Sequence, residues 1–189
     1  EESELENIEN SEFFEGELEQ LDLLLEESEA VLLNDKKLHE VTHSLIPNIL
    51  ANNQNEKVLI FTEYCSTQMY LKEALEKKFG CDTVNLINGS MSYQLRQDAI
   101  NQFEGNGQFL ISTEAGGEGI NLQSHCNIMI NYDLPWNPMR LVQRIGRLYR
   151  YGQQKRVVVF NLFSPASMDD EIIDLMHVRI EQVVKDLWN

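Results

Sequence analysis

The chain has 189 residues, 42% of them hydrophobic, with a formal net charge of −16; that length supports one packed domain plus an appendage. No run of about 18 apolar residues occurs, which excludes a transmembrane helix, and the acidic start is unlike a secretory signal. Residues 1–34 hold 13 acids and no Lys or Arg, whereas residues 35–189 hold 18 acids and 15 bases. The body is therefore close to neutral, and the low pI is compatible with a nucleic-acid partner. Cys65, Cys81 and Cys126 are scattered and odd in number. They argue for a reducing compartment, against a disulfide framework or zinc site, and for small core residues.

In chain order, Glu1 to Asn10 reads as a disordered acidic lead. From about Glu17, Leu18, Leu21, Leu25 and Leu32 recur near a helical period, predicting an acidic amphipathic helix. Such a helix packs on the body or a neighbour, or it acts as an autoinhibitory or DNA-mimicking segment. A second helix is expected from about Asp35, with Leu38, Val41, Leu45 and Ile49 on its apolar face. His39 and His43 have no third ligand nearby and read as surface residues, so no metal site is predicted. The body then alternates. Strands are expected at 57–62, 83–87, 108–112, 127–131 and 156–163, and helices at 66–79, 93–103, over the arginine-rich stretch, and at 168–187. Ser167 can cap the last helix, with Asp169, Asp170 and Glu171 in its first turn.

Apolar strands alternating with helices make an α/β domain with a mainly parallel sheet, over residues 35–189, with 1–34 as an acidic segment. Ligands of such sheets bind beyond the carboxyl ends of the strands. The loops at Thr62, 88–92, 112–121 and 132–137 all leave from that edge.

The densest chemistry lies in Gln143 to Gln153, Q-R-I-G-R-L-Y-R-Y-G-Q. Wound as a helix, it places Gln143, Arg147 and Arg150 on one face and Leu141, Ile145 and Leu148 on the other. From Arg140 to Arg156 there are six basic residues and no acid, which suits a polyphosphate because the guanidinium fork binds oxygens in pairs. Ser112 to Gln123, S-T-E-A-G-G-E-G-I-N-L-Q, follows a strand, and its glycines let backbone N–H groups approach a phosphate. Asn88-Gly-Ser-Met-Ser92 is a second turn with small hydroxyls. In Tyr132-Asp-Leu-Pro-Trp-Asn-Pro138 two prolines hold Trp136, either in the core or for a ligand.

The spacing Q-x-x-G-R-x-x-R-x-G-Q at 143–153 resembles motif VI of the superfamily-two helicases, and its R-x-G-Q ending is similar to the form used by SWI/SNF-type DNA translocases. Residues 112–122 resemble motif V of that group, Lys57 to Tyr64 motif IV, 88–103 the G-S-x-S…R-x-x-x-I-x-x-F segment, and 133–138 the D-x-x-W-N-P loop that meets duplex DNA. The resemblance implies a three-layer RecA-like lobe. It implies Arg147 and Arg150 as arginine fingers, Gly117, Gly119 and Asn121 toward ATP, and Gln143 and Arg144 at the ATP site, orienting the nucleotide or coupling it to the loops. Thr62, Gly89, Ser90, Ser112, Thr113, Trp136 and Asn137 would face DNA. Phosphate contacts of this kind imply sequence-independent tracking.

No G-x-x-x-x-G-K-[S/T] loop and no D-E-x-H-like motif occur. By resemblance both lie on a preceding RecA-like lobe, which would hold most of the Mg2+ of Mg·ATP. The chain is thus expected to be a second lobe that hydrolyses ATP negligibly alone. Its expected partners are that first lobe, double-stranded DNA and a DNA-bound protein target, in a bacterial cytoplasm or, if eukaryotic, a nucleus. Glu114, Glu118 and Gly146 depart from the usual remodeller pattern of Arg or Lys, an apolar residue and Asp. A divergent, bacterial-type branch follows. The competing readings are a lobe of a strand-separating DNA or RNA helicase and a non-enzymatic DNA- or protein-binding lobe.

Overall fold

The computed structural model describes residues 13, 14, 16–33, 35–116 and 119–163. The expected acidic lead, the helix at 168–187 and Gly117 lie outside these residues. Two compact units divide the chain, Glu1–His39 and Glu40–Asn189.

The first unit carries helix α1 (Glu17–Leu33). Leu18, Leu21 and Leu25, read as one apolar face, are exposed, and so are Leu23 and Leu24 between them. At about 100° per residue this leucine run covers a wide arc rather than a stripe. Helix α2 (Lys36–Glu40) begins where the Asp35 carboxylate accepts the Leu38 N–H at 2.8 Å, an N-cap bond.

The second helix does not continue evenly through to Ile49. Val41–Leu45 is a π-helical turn in which the Ile46 N–H donates to the Val41 carbonyl, and helix α3 (Ile46–Asn52) follows. Pro47 supplies the reason. In an unbroken α-helix its ring would strike the carbonyl four residues back, at His43, and the wider turn avoids this.

Among the described residues the sheet has five strands, β1 (Val58–Thr62), β2 (Val84–Ile87), β3 (Phe109–Thr113), β4 (Ile128–Asn131) and β5 (Val158–Asn161), in the order β2-β3-β1-β4-β5. Every pairing is parallel. β1 and β3 lie side by side, with Val58 opposite Phe109 and Thr62 opposite Thr113, and every residue of both is buried. That is why K-V-L-I-F-T reads as a continuous apolar run. Helices α4 (Cys65–Phe79), α5 (Tyr93–Glu104) and α6 (Pro138–Ile145) flank the sheet. The core gathers Leu59, Phe61, Ile87, Phe103, Leu110, Met129 and Leu148. Lys57 ties β1 to the end of α5, its Nζ donating to the carbonyls of Phe103, Gly105 and Gly107 at 2.5, 2.9 and 2.6 Å.

Cys65 and Cys81, expected in the core, are exposed. Cys65 opens α4, and Cys81 sits in the turn that follows it. Cys126 is buried, its thiol donating to the carbonyls of Lys57 at 3.2 Å and Ile128 at 3.3 Å. Burial pushes this thiol up from 9.0 to about 11. The folded state holds the proton that the unfolded chain releases near pH 9. The stabilisation is therefore complete below that pH and lost as pH rises through 11. Two units correspond to about 2–3 kcal/mol. Urea midpoints at pH 8 and pH 11 should differ less for Cys126→Ala than for the native chain; an equal loss would remove the assignment. Iodoacetamide should label Cys65 and Cys81 in the folded protein and reach Cys126 only on unfolding.

Candidate functional site

The turn after β2 is built on Asn88, whose Oδ1 accepts from the Ser90 amide (3.2 Å) and hydroxyl (2.7 Å). Ser92 then caps α5 through the Leu95 N–H. Gly89 and Ser90 are left exposed. This turn is packed on the loop after β3. A Cβ on Gly89 would stand 2.9 Å from the Ala115 Cβ, and one on Gly116 would stand 2.5 Å from the Ile87 carbonyl oxygen and 2.6 Å from the Asn88 Cα. Arg96 of α5 clamps both segments, donating to Met91 O (3.1 Å), Gly89 O (3.0 Å) and Ala115 O (3.5 Å). Gln68 of α4 is buried beneath, donating to Ile87 O and Ile111 O at 2.9 and 2.8 Å and accepting from the Asn88 amide at 3.3 Å. Gln68 carried a sequence signal that went unread: it stands at helical spacing from the buried Leu71 and Leu75, a polar residue on an apolar face.

Three hydroxyls expected at DNA phosphate turn inward. Thr62, Ser112 and Thr113 are buried. The Thr62 hydroxyl donates to the Asp133 carboxylate, the Ser112 hydroxyl donates to the Thr113 carbonyl at 2.9 Å, and the Thr113 Oγ1 accepts the Gly116 N–H at 3.4 Å. All three lie at the carboxyl ends of β1 and β3, inner strands buried along their whole length. Trp136 is the reverse case. It is 64% exposed, so the core alternative fails. Asn137 beside it is exposed and caps α6 by accepting the Met139 N–H at 3.0 Å, with Pro138 in the first turn.

The arginine stretch is not one helix. α6 ends at Ile145 and the chain tightens into turns, with Arg147 N–H bonding Arg144 O and Leu148 N–H bonding Ile145 O, three residues back. Gly146 adopts φ −61° and ψ −9°, the right-handed conformation of such a tightened turn. Leu141 and Leu148 are buried as expected, while Gln143 and Arg150 are exposed and Arg147 is half-buried.

Arg144, expected to orient the nucleotide or couple it to the loops, is enclosed, with a side chain 1% exposed. Its Nε donates to Glu114 Oε2 at 2.8 Å, and Nη2 lies 2.8 Å from the same oxygen. Its Nη1 donates to Asn131 Oδ1 (3.1 Å) and the Asp133 carbonyl (2.9 Å), and its guanidinium lies 5.1 Å from the Phe61 ring centre. A buried guanidinium persists only with partners on this scale. Asn121 and Arg150, both expected at the nucleotide, are brought together by a hydrogen bond from the Arg150 guanidinium to Asn121 Oδ1. Gly119 is exposed at φ +79° with open space around it.

For Mg·ATP, the exposed Gln143 and Arg150 and the half-buried Arg147 offer donors fitted to a polyphosphate. Among the described residues no group of three or more His, Cys, Asp or Glu could hold a metal ion. No described helix is long and apolar enough to cross a membrane.

This fold and motif set match a known family: the helicase conserved C-terminal domain, over residues 37–152. The chain belongs to that family. It is 42% identical over 170 residues to the uncharacterized ATP-dependent helicase YqhH of Bacillus subtilis (strain 168), covering 88% of this chain and 29% of that protein. It is 32% identical over 169 residues to human chromodomain-helicase-DNA-binding protein 1, covering 87% and 9%. Among solved structures, the C-terminal part of the Fun30 ATPase domain superposes with a TM-score of 0.63 at 30% identity, over 70% of this chain and 42% of that one. Domain 2 of the DEAD-box helicase Mss116p, solved bound to an RNA duplex, shares the fold with a TM-score of 0.57 at 19% identity, over 67% and 49%. This helicase C-terminal domain is RecA-like and its homologues are SWI/SNF-type ATP-dependent helicases. It spans less than a third of the length of these curated relatives.

Proposed function

We propose that this domain is the second ATPase lobe of an ATP-dependent double-stranded-DNA translocase. Arg147 and Arg150 serve as fingers on the γ-phosphate, and Gly89, Ser90, Trp136 and Asn137 serve as DNA contacts. The observation that carries this reading is the exposed Trp136 between Pro135 and Pro138, at the same sheet edge as the exposed Gly89 and Ser90. An indole held in solvent by a proline-braced loop gains its area back only against a partner surface. The backbone amides and small hydroxyl at Gly89 and Ser90 suit phosphates without reading bases. Thr62, Ser112 and Thr113 act in this scheme through loop shape rather than through their hydroxyls. A first lobe of the same protein completes the Mg·ATP site, and closure of the lobes on ATP followed by reopening moves them along one strand. The 189-residue chain alone should show negligible turnover.

The test is ATP hydrolysis by the full-length parent with duplex DNA, single-stranded DNA or RNA. Duplex DNA should stimulate most, and Trp136→Ala should cut that stimulation about tenfold, the scale of losing one aromatic contact to nucleic acid. Greater stimulation by single strands or RNA would assign the lobe to a strand-separating helicase, and none at all would leave a binding lobe.

A further inference from the structure

We propose that Glu114 and Arg144 form a positioning pair that locks the loop after β3, the loop after β4 and the arginine stretch into one moving part. The inference deepens the translocase reading and rests on it for its catalytic consequence. Arg144 leaves α6 one turn before Arg147 and reaches back into the sheet edge. Its guanidinium meets three separate segments: Glu114 of the first loop, the Asn131 side chain at the end of β4, and the Asp133 carbonyl at the start of the Trp136 loop.

The ties extend outward from there. Asn131 donates to Asn161 Oδ1 at the end of β5 at 2.9 Å, and the Asp133 carboxylate accepts from the Thr62 hydroxyl and the Glu63 N–H. Ala115, next to Glu114, accepts from Arg96, which also holds the Gly89 turn. The exposed groups assigned to DNA, Gly89, Ser90 and Trp136, are thereby joined through Glu114 and Arg144 to the segment bearing Arg147 and Arg150. Neither member of the pair need touch substrate. The pair sets where the surfaces that do so stand relative to each other.

Glu114 is the member whose loss isolates this role. Glu114→Gln keeps an acceptor for the Arg144 Nε and removes the charge that draws two guanidinium nitrogens to one oxygen. Hydrogen exchange on the 189-residue chain reads the tie directly. Amides at 131–134, 136 and 137 should exchange at least about tenfold faster in Glu114→Gln, together with those at 113–116, while α5 keeps its native rates. Glu76→Gln, which removes the half-buried Lys72–Glu76 pair on α4, serves as the control with unchanged rates in both loops. A rise confined to 113–116, or one spread evenly through α5, would overturn the proposal.

The catalytic consequence is read in the full-length parent. Glu114→Gln should lower kcat in saturating duplex DNA by about tenfold with KM for ATP within about twofold. A raised KM with kcat intact would make Glu114 a nucleotide-binding residue and also overturn the positioning role. A wild-type parent that no nucleic acid stimulates would refute the translocase reading, and the exchange measurement would still decide the tie.

Discussion

Arg147→Ala in the full-length parent is expected to lower kcat for DNA-stimulated ATP hydrolysis by roughly 10³-fold or more, with duplex-DNA affinity within about twofold of wild type. Charge spreads over the γ-phosphoryl oxygens as the leaving bond lengthens, and a guanidinium brought in from across an interface stabilises that charge more than it stabilises bound ATP. The loss therefore falls on kcat rather than KM. Arg147 suits this task because its backbone is fixed: Arg147 N–H bonds Arg144 O, and the next residue, Leu148, is fully buried in the core. A half-buried side chain on such a turn needs little reordering when the lobes close. Arg150 is exposed and already bonds Asn121, so Arg150→Ala should cost less. Steady-state rates and a DNA-binding isotherm on the same preparation decide the matter. A drop below about tenfold, or an equal loss of DNA affinity, would remove Arg147 as a finger.

Gly116→Ala should destabilise the domain by about 3 kcal/mol, lowering Tm by roughly 6–12 °C. The added Cβ would sit 2.5, 2.6 and 2.7 Å from Ile87 O, Asn88 Cα and Asn88 N. These are backbone atoms, so no flexible side chain can yield. The Ile87 carbonyl is also held by the Gln68 amide, which resists displacement of the β2 end. Gly119→Ala is the matched comparison: its φ of +79° is costly for a side chain, but nothing lies within 4 Å of the added atom. That substitution should cost about 1–2 kcal/mol from backbone strain alone. Thermal unfolding of both variants separates packing from strain. If Gly116→Ala proves no worse than Gly119→Ala, the close seating of the Gly89 turn on the β3 loop is wrong.

Much of the architecture was legible because it is written in local periodicity. The run from Val58 to Thr62, the helix expected at 66–79 and found at Cys65–Phe79, and the helix expected at 93–103 and found at Tyr93–Glu104 each follow from residues within one or two turns of each other. The two glycine turns and the proline-braced Trp136 were legible for the same reason. The π turn ahead of Pro47 was legible in principle, since the clash that forces it spans four residues.

The sequence by itself determined a parallel α/β lobe with its loops gathered at one sheet edge and six of its fifteen basic residues in one acid-free stretch. Which polar groups face inward was decided only by tertiary structure. Arg144, Arg147 and Arg150 look alike in a pattern of guanidiniums, yet Arg144 alone among them is sealed, because its partners come from residues 30, 13 and 11 positions away. The hydroxyls of Thr62, Ser112 and Thr113 look like phosphate ligands until packing over the faces of the sheet buries them. A side chain's spacing along the chain tells which face of its own element it occupies. Whether that face meets water or a carboxylate depends on segments the chain brings back from far away, and a charge can be buried only where such a partner arrives.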